Sequence, residues 1–184
     1  QGPLGALVLR YADYDVRRAS STAPDVIGRG LELRVTTRDL RLGGRYQLQG
    51  NAGGEVLECV PPTDGTGHYR VTWEYGGGVT WLVVRVVASG PESTRVELEH
   101  TSKSADIPPG FWEQFGPGAT GVGWDGGMLG LALHLSRGSS ANPEAAESWA
   151  FTDEGRAFYR AAADAWAGAH VAFGAEPMVA ARAA

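Results

Sequence analysis

The chain carries a single cysteine, Cys59, among its 184 residues. An internal disulfide is therefore excluded, and a reducing compartment is favoured. Basic residues are scarce as well. Sixteen Lys and Arg against 21 Asp and Glu leave a formal net charge of −5 with no basic run, which argues against a nucleic-acid partner. No apolar run approaches the ~18 residues of a membrane span, and the opening residues lack a secretory-leader pattern. A soluble, cytoplasmic protein with no membrane partner is expected. The four histidines are scattered, and none pairs at metal-ligand spacing with a cysteine or carboxylate, so no metal is expected. Gly116 to Gly121 (GPGATG) fits the letters of a dinucleotide fingerprint, but no buried strand precedes it and no βαβ unit follows. No cofactor is expected either.

Glycine, by contrast, is abundant. The stretch from Phe111 to Ser136 reads as a helix entered through Gly116-Pro117, since proline fits a first helical turn. Inside it stand Gly121, Gly123, Gly126, Gly127 and Gly130, each costing about 1 kcal/mol of helix stability relative to alanine. A helix that tolerates this needs its backbone close to a partner. Leu129 with Leu133, and Trp124 with Met128, Leu131 and Leu135, recur at helical spacing and make that partner surface apolar. The expectation is a glycine-faced helix laid across a curved sheet.

The rest of the chain supplies the sheet. Ala6 to Tyr11 reads as a first strand, and Leu31, Leu33 and Val35 alternate with polar residues in another. Leu40 and Leu42 alternate, Gly43-Gly44 interrupts, and Arg45 to Gln49 resumes. Glu55 to Val60 follows, stopped by Pro61-Pro62, with a loop over Thr63 to Gly67. Tyr69, Val71, Trp73 and Tyr75 share a face. Leu82, Val84 and Val86 do so in Val79 to Ala88, as do Val96, Leu98 and His100 in Ser93 to Thr101. Short connections and one apolar face are antiparallel meander signals. Trp81, Val83 and Val87 fall on the other face and hint at a homodimer surface.

After a polar loop, Asn142-Pro143 opens a short helix over Glu144 to Ala150. Thr152 caps a second one, which has an apolar stripe of Phe158, Ala162, Ala165, Trp166 and Ala169 and ends at Gly174. Strands first and helices after make an α+β fold. One domain over residues 6–184 is expected, with 143–184 a C-terminal helical extension. Gln1 to Gly5 (QGPLG) resembles a protease-cleavage scar.

Several blocks of the chain resemble a known family. They are Asp39 to Tyr46 (DLRLGGRY), Gly53 to Cys59 (GGEVLEC), Pro61-Pro62, Val71 to Glu74 (VTWE), Thr94 to Thr101 (TRVELEHT) and Phe115 to Asp125 (FGPGATGVGWD). With these, about four-fifths of the chain is similar to the SRPBCC superfamily (START and Bet v 1-like, helix-grip fold), in its activator-of-Hsp90-ATPase (AHSA1) branch of actinobacterial type. The resemblance implies a seven-stranded antiparallel sheet gripping a long C-terminal-half helix around an internal cavity. Residues 16–38 depart from it, lacking the amphipathic helix pair the family carries there; a reading-frame shift across this segment would account for the change.

The chemistry is sparse. Glu74, Glu97 and Glu99 lie on the wet face, and no nucleophile with an oriented base can be identified, so no catalytic residue is nominated and a non-enzymatic role is favoured. His100 is either a hydrogen-bonded core residue or a polar group in a ligand cavity. Asp125 is either solvent-facing or the partner of a core group. Cys59 reads as a buried structural thiol, and His68 and His170 as loop and helix-end residues. The concentration of aromatic and apolar side chains suits either a filled core or a pocket. Read as a pocket, it would be lined by Tyr46, Tyr69, Val71, Trp73, Leu82, Val84, Leu98, His100, Trp112, Phe115, Trp124 and Met128. The expected function is binding of a hydrophobic small molecule in a sheet–helix cavity. The alternatives are an accessory factor partnering an Hsp90-type chaperone, and a cyclase- or hydrolase-type enzyme for which His100 and Asp125 would be the acid–base pair.

Overall fold

The structure is a computed structural model that describes residues 6–17, 35–39, 41–90, 93–137 and 143–183. Most of the atypical segment, residues 18–34, and the first five residues lie outside the described residues. The chain resolves into two compact units, one holding the strands and the other the helices from Ile107 onward.

The sheet unit has seven strands: β1 (Ala6–Arg17), β2 (Val35–Arg38), β3 (Arg45–Leu48), β4 (Gly53–Thr63), β5 (Thr66–Tyr75), β6 (Gly78–Ala88) and β7 (Ser93–Lys103). They form one antiparallel sheet in the order β1-β7-β6-β5-β4-β3-β2. Two hairpins use two-residue loops in which both residues have positive φ: Asp64-Gly65 (52° and 81°) and Gly76-Gly77 (57° and 83°). That is the turn whose twist matches paired strands, and glycine adopts it without strain. Among the described residues of the unit, Leu48, Ala52, Val56, Val71, Leu82, Val84, Val96 and Leu98 are buried.

Three strand expectations need correction. Pro61-Pro62 does not end β4. The strand continues to Thr63 through register shifts at Val56/Glu58 and Val60/Thr63, and β3 pairs only with Gly53–Glu55. The prolines therefore sit at a bulged stretch beyond the reach of β3, where their missing N–H breaks no ladder. The loop expected over Thr63 to Gly67 shrinks to Asp64-Gly65, with Thr63 in β4 and Thr66 and Gly67 in β5. Leu42 does not continue a strand either, and Leu40 lies outside the described residues. Leu42 lies in a turn closed by Gly44 N to Arg41 O at 2.8 Å, and is 72% exposed. β1 runs past Tyr11 to Arg17 because β7 supplies partners along its whole length, from Lys103 opposite Ala6 to Ser93 opposite Arg17.

The helical unit comprises α1 (Phe111–Phe115), α2 (Gly118–Arg137), α3 (Pro143–Ala150), α4 (Asp153–Ala172) and α5 (Pro177–Arg182). The entry through Gly116-Pro117 is as expected: the Pro117 carbonyl accepts from Gly121 N at 2.9 Å and opens α2. Thr152 caps α4, its hydroxyl accepting from Gly155 N at 3.1 Å. Trp124, Met128 and Leu131 are buried.

Two of the glycines of α2, Gly121 and Gly126, face α4. A β-carbon on Gly121 would run into the indole of Trp166, and one on Gly126 would meet Tyr159 Oη at 3.0 Å; both rings belong to α4. Gly123 is exposed with open space beside it. At Gly121 and Gly126 the bare backbone serves helix–helix packing inside the helical unit. The α4 stripe shifts accordingly. Ala165 and Ala169 are exposed, and the inward line is Gly155, Tyr159, Ala162, Trp166 and His170.

Candidate ligand-binding face of the sheet

Cross-strand register decides which side chains share a face. Tyr69 stands opposite Val84, and Val84 opposite Leu98; Val71 opposite Leu82, and Leu82 opposite His100; Trp73 opposite Thr80; and Tyr46 opposite Gly54. All eight sheet residues expected to line a pocket therefore lie on one face. Val71, Leu82, Val84 and Leu98 are its buried floor, while Tyr46, Tyr69 and Trp73 keep part of their surface.

His100 is 8% exposed. Its Nε2 is hydrogen-bonded to Thr80 Oγ1 at 2.7 Å, with the donor set by the imidazole tautomer, and Thr80 Oγ1 also lies 3.3 Å from the Trp73 carbonyl. The Trp73 ring meets the imidazole edge-on at 6.1 Å. Burial lowers the His100 pKa to about 4, which keeps the ring neutral near pH 7. Thr80 was absent from the sequence-based set, although its alternation with Leu82 and Val84 was enough to place it on this face. Tyr46 donates to the Thr72 carbonyl at 2.6 Å. Burial pushes the phenols of both Tyr46 and Tyr69 up, so both stay protonated.

The opposite face carries the charge. Arg45 grips Glu74 through two bonds of 3.0 and 2.7 Å, which together with Thr72 hold the Glu74 carboxyl below its usual range. Arg85 pairs with Glu99 at 3.3 Å, and Arg95 with Glu97 at 3.1 Å. Trp81, Val83 and Val87 are only half-buried there, with Lys103 Nζ 5.4 Å above the Trp81 ring. His68 is a strand residue of β5, 3.3 Å from Glu58, and not part of a loop. Cys59 is exposed, contrary to the buried thiol expected. It follows the bulge in β4, beyond the stretch that β3 pairs with.

The other four residues expected to line a pocket belong to the helical unit. Trp112 meets His170 edge-on at 5.2 Å, Phe115 stacks on Phe111 at 5.0 Å, and Trp124 and Met128 are buried. Asp125 accepts from Trp166 Nε1 at 2.8 Å, a role for α2 and α4 that differs from acid–base work with His100. His170 is 6% exposed, and its Nδ1 has no hydrogen-bond partner among the described residues. Nothing in the spacing of α4 marked it as more than a helix-end residue. Among the described residues no group of three or more His, Cys, Asp or Glu could hold a metal, and no helix is long and apolar enough to cross a membrane.

Strand order, sheet register and the run of C-terminal helices match a helix-grip, Bet v 1-like fold. The chain is similar in structure to CalU16 from Micromonospora echinospora, with a TM-score of 0.55 and 26% identity over 89% of this chain and 86% of that one. Lower matches include an HSP90 activator from Plasmodium falciparum (TM-score 0.38, 15% identity, 56% of this chain and 79% of that one). Another is truncated norcoclaurine synthase from Thalictrum flavum (TM-score 0.46, 14% identity, 74% and 98%). No family model and no curated protein matches the sequence.

Proposed function

We propose that the chain binds a hydrophobic small molecule through the apolar face of its sheet, and that by its sequence blocks it falls in the activator-of-Hsp90-ATPase-like branch. The observation that carries the binding reading is the composition of the face. A floor of Val71, Leu82, Val84 and Leu98 is flanked by the partly accessible rings of Tyr46, Tyr69 and Trp73, and its one histidine is neutral. Apolar walls with a few placed polar groups are what a small-molecule site requires. The charged side chains of β5 to β7 occupy the other face, so an apolar ligand here would meet no buried ion. Thermal melting of the full chain against a panel of polyketides, sterols and fatty acids tests this. Stabilisation by at least one class, quenched or shifted Trp73 fluorescence, and loss of both on Trp73→Ala are expected. A panel with no effect on melting or fluorescence refutes the proposal.

A further inference from the structure

Three elements of the helical unit meet at one corner. The Trp112 ring of α1 lies against His170 near the end of α4. A β-carbon on Gly116 would stand 2.9 Å from His170 Nδ1 and 3.3 Å from Ala183 Cβ, just past α5. The inside of this junction is closed, with His170 and Ala180 buried. Its outside is not. Phe173 is 83% and Met178 70% exposed, and Phe111, Phe115, Val171 and Val179 each expose between 39% and 42%. Phe111 and Phe115 also touch, their ring centroids 5.0 Å apart. Single apolar residues are ordinary on a protein surface, but six large ones on joined elements are not.

Area and charge decide what fits there. An aromatic side chain offers roughly 150–250 Å², so at these exposures the six present on the order of 500 Å². A standard interface takes about 800 Å² from each partner, some 60% of it apolar, which is close to the same figure. Over α1 and from Trp166 to Ala183 the carboxylates and basic groups are Glu113, Glu176 and Arg182, all exposed. Mixed signs, on a chain of net charge −5, give no attraction to an anionic bilayer or a strongly charged partner. A second copy brings the same apolar area and the same mixed charge, and a two-fold axis lets each corner cover the other. The outer sheet face is the weaker candidate. Lys103 stands over Trp81, and Glu99, paired with Arg85, lies opposite Val83, so its apolar groups are already screened. We propose that the corner formed by α1, the end of α4 and α5 is a homodimer interface, anchored by Phe173 and Met178.

Sedimentation equilibrium of the full chain between roughly 1 and 100 μM tests this, a range in which a dimer of micromolar affinity populates both states. The wild-type chain is expected to pass from monomer to dimer across it. Phe173→Asp combined with Met178→Asp should weaken the dimer by about 100-fold or more, because each change places a carboxylate in an apolar contact. Both side chains face water in the single chain, so the variant should melt like wild type at the lowest concentration. If the aspartates unfold the chain, Phe173→Ser with Met178→Gln replaces them under the same criterion. A wild-type chain that stays monomeric at the highest concentration overturns the proposal. So does a dimer whose affinity survives the paired substitution.

Discussion

The indole of Trp166 lies flat against Gly121, in the space a β-carbon would occupy, and its Nε1–H reaches Asp125 Oδ2 at 2.8 Å. Residues 121 and 125 are one helical turn apart, so α2 presents a bare slot and then a carboxylate at its end. A single side chain of α4 uses both.

Gly121→Ala and Gly123→Ala should therefore move stability in opposite directions, although both raise helix propensity. At Gly121 the methyl collides with a ring held on its other edge, and overpacking of this kind costs about 1–3 kcal/mol. At Gly123 the methyl enters open space and stabilises by up to about 1 kcal/mol. Urea denaturation of the two variants measures the difference. Equal shifts would contradict the slot.

Trp166→Phe keeps most of the ring and removes the donor, so Asp125 loses an N–H partner. A loss of about 1–3 kcal/mol is expected, combining the bond to a charged acceptor and some packing. In a double-mutant cycle with Asp125→Ala, a coupling energy of roughly 1 kcal/mol would identify the bond itself. A coupling near zero would assign the loss to packing alone.

His100 predicts a pH dependence of definite sign. Its pKa falls from 6.5 to about 4 in the folded chain, so between these values the unfolded state binds more protons. Stability is full above 6.5, declines as pH falls, and has lost roughly 3 kcal/mol by the time pH reaches the folded value. His100→Gln should flatten the part of the denaturation-versus-pH curve between about pH 6.5 and 4. A variant curve parallel to the wild-type curve would show that the imidazole is not held neutral.

Cys59 should react with a chromogenic disulfide reagent in the native chain, one thiol per molecule, without denaturant. A thiol that appears only after unfolding would restore the buried reading of β4.

Much of the sheet could be read directly from residue alternation. β5, β6 and β7 contain unbroken runs such as Tyr69-Val71-Trp73, and their pairing obeys the same period, so a shared face follows from three local patterns. Alternation fails in β4, where a bulge after Val56 changes which residues oppose β5. No composition rule reveals that Pro61-Pro62 lies beyond the short β3. The helix over Gly118–Arg137 was legible from its apolar spacing despite its glycines, while the object those glycines accommodate was not. The stripe assigned to α4 took small residues, Ala165 and Ala169, for inward ones. The true line uses Tyr159, Trp166 and His170, whose size and polarity suit either side until a partner is known.

By itself, then, the sequence determined which segments are strands or helices and which strand residues fall together, because these depend on periods of two and 3.6 along one chain. The tertiary structure decided what each distinctive residue touches. It gave Gly121 to Trp166, Asp125 to the indole N–H, and His100 to Thr80. Such pairings join residues up to 45 positions apart, as with Gly121 and Trp166, and depend on the packing of whole elements, which no local period encodes.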